Sequence, residues 1–246
     1  MDFKKLVSEA GAKLNRAVQK TNETLLSAEK TEYDIEYKNM LTKIDALNVW
    51  TERFVKEATS ALEPNLAFRL EDKVLDKIDR KNERITPLEV LGGVYEKAGE
   101  TFAPLSGDLS KCFATFGGIE VRVGITSKEF QKRASEVYVS KLRTMITVDL
   151  KKFQEERVNL ENLRLDLDSL RGKLKRSSEN NRRSAEDAFQ NAEIKFNQQL
   201  NMNKEIFANI DKLFDEHQTL IKAFVSAQIS YYAECQRELE RLEKQL

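Results

Sequence analysis

The chain has 246 residues, of which 33% are charged and 40% are hydrophobic, and its formal net charge is zero. This hydrophobic share excludes a disordered chain, and the length fits one or two domains. No run of eighteen apolar residues is present, and the N-terminus lacks the apolar core of a signal peptide, so we expect no membrane-spanning segment. The two cysteines, Cys112 and Cys235, fit no metal or redox spacing, which favours a reduced, cytoplasmic chain.

The first predicted element is an amphipathic helix over residues 1–21. Apolar side chains recur on one face, and the other face carries five Lys or Arg residues against Asp2 and Glu9. Such a helix either lies in the headgroup plane of an anionic bilayer or packs on the protein core, and the pattern alone does not separate the two. The membrane interpretation predicts lipid contacts for Phe3, Lys4, Lys5, Leu6, Val7, Ala10, Lys13, Leu14 and Arg16.

A first long helix is predicted over residues 22–62, where apolar residues from Met40 to Ala61 recur at helical spacing and stop before Pro64. Residues 63–87 then form a central insert. Thr86, Pro87 and Glu89 form the start signal of a short helix from residue 87 to about 98. Glycines and Pro104 interrupt the pattern that follows, so residues 88–125 are predicted as a broken helix continuation with irregular passages.

A second long helix is predicted over residues 126–176. Thr126 and Glu129 resemble a capping box, and a heptad seam runs from Val139 to Leu174 with Asp149 and Glu156 as its polar members. After a turn at residues 177–183, a third long helix is predicted over residues 184–246. Its seam changes from a seven-residue to an eleven-residue period, which is typical of a curved bundle.

The turn between these two helices is strongly basic. Residues 171–183 hold six basic side chains and one acid, Glu179. A run of this kind is often only a solvated tip, but beside an amphipathic N-terminal segment it favours contact with an anionic membrane. The membrane interpretation assigns lipid binding to Arg171, Lys173, Lys175, Arg176, Arg182 and Arg183.

Three helices of such length predict an obligate homodimer, because one chain alone would expose aromatic side chains such as Trp50, Phe224, Tyr231 and Tyr232. We expect no enzyme, catalytic residue, metal or cofactor, since no nucleotide-binding or metal-binding motif is present. His217, the single histidine, falls on the inner seam and is predicted to be an interior or interface residue. The turn has no aromatic residue, which argues against a nucleic-acid partner.

Several stretches resemble one known family. They are AEKTEYD (28–34), NVWTERF (48–54), LEPN (62–65), VLGGVYEKAGETFAP (90–104), RLDLDSLRGKLKR (164–176) and FVSAQISYYAECQRELERLEKQL (224–246). In collinear order over the whole chain, they resemble the N-terminal membrane-bending domain of endophilins, most closely the endophilin-B branch.

The resemblance implies a single all-α N-BAR domain. Three long kinked antiparallel helices would form a crescent-shaped six-helix-bundle homodimer with an N-terminal amphipathic helix. The implied function is sensing and generating curvature in anionic bilayers during membrane trafficking, including endocytosis and autophagy. The central insert would lie on the concave face and add lipid contacts through Arg69, Lys73, Lys77, Arg80, Lys81 and Arg84, or serve no dedicated role.

The resemblance also implies partners and a location. The chain would be peripheral on endosomal, Golgi, autophagic or mitochondrial membranes, with further protein partners of a trafficking pathway. Endophilins also carry a Src-homology-3 domain, to which no part of these 246 residues corresponds, so partner recruitment through such a domain is not carried over. The alternative function is a structural coiled-coil scaffold or tether that binds protein partners and is indifferent to lipid charge.

Overall fold

A computed structural model of the chain describes residue 16, residues 30–63, residue 65 and residues 84–245. Helices dominate this part of the chain, and it contains no strand, which confirms the predicted all-α class. The α-helices are α1 (Ile35–Leu62), α2 (Pro87–Phe102), α3 (Gly107–Ala134), α4 (Ser140–Thr144), α5 (Lys151–Arg176), α6 (Glu179–Phe207) and α7 (Ile210–Glu243). The described helices include none that is long and apolar enough to cross a membrane.

The chain divides into two units. Unit 1 comprises Met1–Trp50 and Met145–Leu213, and unit 2 comprises Thr51–Thr144 and Phe214–Leu246. Unit 1 therefore holds the first half of α1 with α5 and α6. Unit 2 holds the second half of α1 with α2, α3, α4 and most of α7.

The first long helix begins at Ile35 rather than near residue 22. The Asp34 carboxylate accepts a hydrogen bond from the backbone N–H of Tyr37 at 2.8 Å, which caps the helix, and residues 30–34 are not helical. Residues 22–29 lie outside the described part of the chain. The helix ends at Leu62.

The predicted irregular passage is a pair of helices instead. The capping box at Thr86 is present, with the Glu89 carboxylate accepting from the Thr86 N–H at 2.7 Å, and α2 continues to Phe102. Ser106 caps α3, so the helix predicted to start at Thr126 starts at Gly107. Thr126 lies inside α3, where its hydroxyl donates to the carbonyl of Arg122 at 2.9 Å. Its apparent capping signal was therefore misleading.

Glycines set how closely α2 and α3 approach each other. An added Cβ at Gly92 would lie 2.5 Å from the carbonyl oxygen of Gly117, and one at Gly117 would lie 2.6 Å from the carbonyl oxygen of Gly92. A Cβ at Gly124 would lie 2.4 Å from the Thr86 hydroxyl. These glycines allow α2 and α3 to pack closely against each other. They do not break the helices, as the sequence pattern suggested they would.

From Gly107 to Arg176 the helical path is continuous, but the π-helical segments Ser135–Val139 and Met145–Leu150 interrupt its α geometry. The predicted seam placed Ile146 and Asp149 inside, whereas Met145 and Leu150 are the buried residues, 1% and 3% exposed. A five-residue step from Met145 to Leu150 matches the i to i+5 spacing of a π turn. The π segment thus keeps Asp149 out of the core.

The third long helix also differs from its prediction. It begins at Glu179 rather than Ser184, and a turn at residues 208–209 separates α6 from α7. The predicted seam residues of this helix are all buried or half-buried, as a heptad seam requires; they are Phe189, Ala192, Phe196, Gln199, Asn203, Ile206, Ile210, Leu213, His217, Leu220, Phe224, Ala227 and Tyr231.

A polar layer crosses the core of unit 1. Asn203 is 0% exposed and donates to the Tyr37 hydroxyl at 3.2 Å and to the Glu156 carbonyl at 2.9 Å. Gln199 donates to the Glu156 carboxylate at 2.8 Å. The polar side chains on the seam therefore satisfy one another's hydrogen-bonding groups. The Tyr37 ring also stacks on Phe207, with the ring centroids 5.6 Å apart.

His217 lies in the interior of unit 2, and its position on the seam predicted an interior or interface residue. Its ring is 8% exposed, its Nε2 is 3.5 Å from the Thr51 hydroxyl, and Phe54 meets it edge-on. Burial lowers the pKa of His217 below its ordinary value. The folded imidazole therefore resists a proton that the unfolded chain accepts.

We expect the lower pKa of His217 in the folded chain to make the protein less stable as pH falls. The unfolded chain binds more protons once pH drops below about 6.5, so the contribution of neutral His217 is full above that pH and declines below it. Urea unfolding at pH 7.5 and pH 5.5 measures the loss, and each unit of pKa difference is worth about 1.4 kcal/mol. In His217→Gln the loss should shrink, because the chain has no second histidine. An unchanged loss in that variant would contradict the assignment.

Candidate functional site at the basic turn

The basic turn, residues 171–183, is the tight connection between α5 and α6 in unit 1. Only Ser177 and Ser178 separate the two helices. The Ser177 hydroxyl donates to the carbonyl of Leu174 at 2.8 Å, and Asn181 N–H donates to the carbonyl of Ser178 at 3.0 Å. These bonds satisfy backbone groups at both helix ends, so the turn is a defined structure.

The turn presents five exposed cations, and four of them form no ion pair within the described chain. Lys173 and Arg176 lie in the last turn of α5, where the helix dipole favours positive charge. Arg182 and Arg183 lie in the first turns of α6. All four are exposed, and within the described chain none of them forms an ion pair. Lys175 is also exposed but has a partner.

Arg171 differs from the other basic residues of the turn. Its guanidinium donates to the Asp168 carboxylate at 2.7 Å and to the Thr31 hydroxyl at 2.9 Å, and it lies 5.7 Å from the centre of the Phe189 ring. Its side chain is only 25% exposed. Arg171 is thus committed to contacts within the protein, and the lipid role predicted for it does not follow from its position.

A buried ionic network lies beneath the turn. The Arg164 guanidinium, 1% exposed, donates to the Asp168 carboxylate at 2.8 Å and to the Glu161 carboxylate at 2.8 and 3.0 Å. The backbone N–H and hydroxyl of Thr31 also donate to Asp168. These bonds fasten the residues just before α1 to the side of α5.

The electrostatics of this network follow from its bonds. Burial raises the pKa of the Glu161 carboxyl, but hydrogen bonds from Arg164 and Tyr33 lower it by more, so the net pKa lies below its ordinary value. Burial and the hydrogen bond to Glu161 raise the pKa of Tyr33 far above its ordinary value. Glu161 is therefore ionised and Tyr33 neutral at physiological pH.

The charge pattern alone did not predict this network. The signal was present in RLDLDSLR, where Arg164, Asp168 and Arg171 follow one another at four-residue and three-residue spacing on one helix face. Charge alone groups Arg171 with the basic turn. The acid between the two arginines indicates that they belong to an internal network.

Most of the other predicted lipid-binding residues lie outside the described part of the chain. They are Phe3, Lys4, Lys5, Leu6, Val7, Ala10, Lys13 and Leu14 in the N-terminal segment, and Arg69, Lys73, Lys77, Arg80 and Lys81 in the insert. Arg16 is described, and its guanidinium binds the Asp166 carboxylate at 3.0 and 2.7 Å. Arg84 is half-buried just before the Thr86 cap.

Comparison with known proteins gives the family. The family described as BAR domain matches residues 8–246. Endophilin-B1 of Rattus norvegicus and of Homo sapiens are each 36% identical over 253 residues, covering 100% of this chain and 68% of the relative. The chain belongs to the BAR domain family, in its endophilin-B branch.

An endophilin-B2 relative and a solved structure also match the chain. Endophilin-B2 of Mus musculus is 30% identical over 279 residues and is covered to 70% by this BAR domain. A solved structure titled as the N-terminal I-BAR domain of D.Discoideum IBARa covers 87% of the chain, and the chain covers 90% of it, at a TM-score of 0.43 and 9% identity. That score adds nothing to the assignment, which rests on the family match and the endophilin-B relatives.

Proposed function

We propose that this BAR domain binds anionic membrane surfaces as a homodimer and senses and generates their curvature. The observation that carries the proposal is the set of four exposed cations at the basic turn, Lys173, Arg176, Arg182 and Arg183, which have no ionic partner within the described chain. Membership of the endophilin-B branch supports the same function. No catalytic step is part of this proposal.

The charge of the turn is sufficient for a membrane contact. Each Lys or Arg near an anionic leaflet contributes about 1 kcal/mol, so four give roughly 4 kcal/mol per turn. That contribution is local, because salt screens charges more than about 8 Å away. A homodimer carries two such turns, and simultaneous contact by both multiplies a weak affinity.

An apolar face of unit 2 supports the homodimer. Ile221, Val225, Ile229 and Tyr232 lie on one side of α7 and are between 44% and 64% exposed. Stripes of this length are uncommon on the surface of a monomer. By contrast, Phe224 and Tyr231 are partly covered by Phe130 within the chain, so they need the second copy less than we expected.

The N-terminal segment and the insert are finer parts of the same proposal. Insertion of Phe3, Leu6, Val7, Ala10 and Leu14 among lipid headgroups would expand one leaflet, with each large side chain contributing roughly 1.5–3 kcal/mol before ordering costs. The insert would add Arg69, Lys73, Lys77, Arg80, Lys81 and Arg84 to the contact. The work of the protein would then be the shaping of intracellular trafficking membranes.

Charge reversal at the turn tests the proposal. We expect the variant with Lys173, Arg176, Arg182 and Arg183 all changed to Glu to lose at least tenfold in affinity for phosphatidylserine vesicles at about 0.15 M salt, because each contact contributes about 1 kcal/mol. Its melting temperature should change little, since all four side chains are exposed and form no ion pair within the described chain. Co-sedimentation measures the affinity, and electron microscopy of the same mixtures shows whether tubes form.

Arg171→Gln is the matched control. It removes a positive charge from the same turn, but one that binds Asp168, so it should lower thermal stability and leave vesicle affinity within about threefold. If the four-residue variant bound vesicles as well as the original protein, the basic turn would not be a membrane site. Unbent vesicles beside a stable dimer would favour a scaffold that binds proteins.

A further inference from the structure

The two serines that connect α5 and α6 differ in what their hydroxyls do. Ser177 is half-buried, and its hydroxyl donates to the carbonyl of Leu174 at 2.8 Å. Ser178 is exposed, and within the described chain its hydroxyl forms no hydrogen bond. A serine hydroxyl in this situation is accessible to an enzyme that modifies it, whereas the hydroxyl of Ser177 is occupied by the fold.

Basic residues precede Ser178 in the sequence. Lys175 is the third residue before it and Arg176 is the second. Protein kinases select substrates partly by charge pattern. A serine with basic residues at these two positions is the typical acceptor of a serine kinase whose substrate groove is acidic. The sequence around Ser178 therefore fits one class of modifying enzyme.

The backbone at Ser178 also suits such an enzyme, because a kinase holds its acceptor residue in an extended segment. Ser177 has φ −70° and ψ 139°, and Ser178 has φ −72° and ψ 160°, so both lie in the extended region. A kinase that also binds Lys175 and Arg176 has to unwind only the last turn of α5. Helix ends open at a lower cost than helix centres.

Ser135 provides an internal comparison. It has the same pattern of basic residues, with Lys132 and Arg133 at the third and second positions before it, and it is also exposed. Its backbone is helical, with φ −62° and ψ −43°, and it lies within the continuous helical path from Gly107 to Arg176. Binding to a kinase would have to unwind the middle of that path. The charge pattern thus predicts two acceptors, and the backbone favours Ser178.

We propose that Ser178 is a phosphorylation site for a serine kinase that prefers basic residues before its acceptor, and that phosphate there weakens the membrane contact of the basic turn. In the transfer, the Ser178 oxygen bonds to the γ-phosphorus of ATP while the bond from that phosphorus to the β–γ bridging oxygen breaks. ADP leaves, and the hydroxyl proton passes to the catalytic carboxylate of the kinase. The second part rests on the proposed function, because it concerns the same membrane contact.

The phosphate would change the charge of the turn without unfolding it. Phosphoserine carries a charge of about −1.5 to −2 at neutral pH, so it cancels roughly two positive charges. Residues 171–183 hold six basic side chains against one acid, so this is a large part of their net charge. Ser178 is the N-cap residue of α6, and the dipole of a helix favours negative charge at its N-terminus.

Phosphorylation of the purified protein tests the acceptor. The probe is the catalytic subunit of cyclic-AMP-dependent protein kinase with Mg²⁺ and ATP, and tandem mass spectrometry measures the initial rate at each serine. We expect transfer to Ser178 to be at least tenfold faster than transfer to Ser135, because only Ser178 lies at a helix end. Arg176→Gln should slow transfer to Ser178 by about tenfold. No transfer to Ser178, or equal rates at the two serines, would overturn the assignment.

Vesicle binding tests the effect of the phosphate. Protein phosphorylated at Ser178 should bind phosphatidylserine vesicles at least tenfold more weakly than unmodified protein at about 0.15 M salt. Ser178→Asp, which adds one negative charge, should bind about three- to fivefold more weakly. Gln198→Asp is the control, since it adds the same charge at an exposed position on α6 roughly 30 Å further along the helix. Its affinity should stay within about 1.5-fold, because salt screens a charge at that distance.

The melting temperature of the phosphorylated protein should not fall, so that weaker binding cannot be attributed to unfolding. Equal vesicle affinity before and after phosphorylation at Ser178 would overturn the effect on the membrane contact. If the unmodified protein bound no vesicles, the proposed function would fail and that effect with it, while phosphoryl transfer to Ser178 would stand as a separate result.

Discussion

Replacing Gly92 with alanine should lower the free energy of unfolding by roughly 2–3 kcal/mol. The new Cβ would lie 2.5 Å from the carbonyl oxygen of Gly117 and 2.9 Å from the backbone nitrogen of Val121. These are backbone atoms, so α2 and α3 would have to move apart along their contact. Urea unfolding at one fixed protein concentration measures the effect, because the stability of a dimer depends on concentration.

Gly93→Ala is the matched control for this substitution. It is the next residue of the same helix, and an added Cβ there has nothing within 4 Å. Alanine is better than glycine in a helix by about 0.5–1 kcal/mol, so Gly93→Ala should be neutral or stabilising. Gly117 and Gly118 provide the same contrast on α3. Equal losses at Gly92 and Gly93 would contradict the close approach of the two helices.

The second large effect is expected at Arg164. Arg164→Met should cost about 3–5 kcal/mol, because it leaves the Asp168 carboxylate, 0% exposed, without its main buried cation. The loss should appear in urea unfolding. The residues before α1, held by the same carboxylate through Thr31, should also exchange their amide hydrogens faster.

Arg157→Met separates a buried ion pair from an exposed one. Arg157 lies on the same helix and binds Asp45 at 2.7 Å, but the two side chains are 38% and 55% exposed. Exposed pairs contribute about 0.2–1 kcal/mol, so this variant should change little. Similar losses for both variants would mean that burial does not set the strength of the Arg164 network.

The success of sequence analysis depended on whether the relevant interaction was local. The Thr86 capping box involves three neighbouring residues, and the seam that carries His217 repeats along one helix, so both were predicted correctly. The predicted role of the glycines of α2 and α3 was wrong. The low helix propensity of glycine can be recognised from the sequence, whereas the close packing that these glycines allow depends on the partner helix. The prediction that Thr126 starts a helix was wrong for a related reason, since the residues of a capping motif can also occur inside a helix.

The candidate site shows the same division. Counting charges located the basic turn, but it did not distinguish Arg171, which binds Asp168, from Arg176, which faces solvent. The heptad pattern also did not predict the π segment at Met145–Leu150. In the sequence, a single five-residue step between core residues looks like a regular repeat with one polar residue at a core position. Family resemblance supplied the fold, whereas the assignment of individual side chains required coordinates.

The polar layer around Asn203 fixes the register of α1 within unit 1. An apolar seam tolerates a slide of one heptad, about 10 Å, because one layer of leucines resembles the next. Such a slide would remove the Tyr37 hydroxyl from Asn203 and leave a fully buried amide with one partner fewer. It would also break the ion pairs of Lys204 with Asp34 and of Lys43 with Asp211. The start of α1 is therefore held at one position along the hairpin, and with it the point from which the N-terminal segment departs.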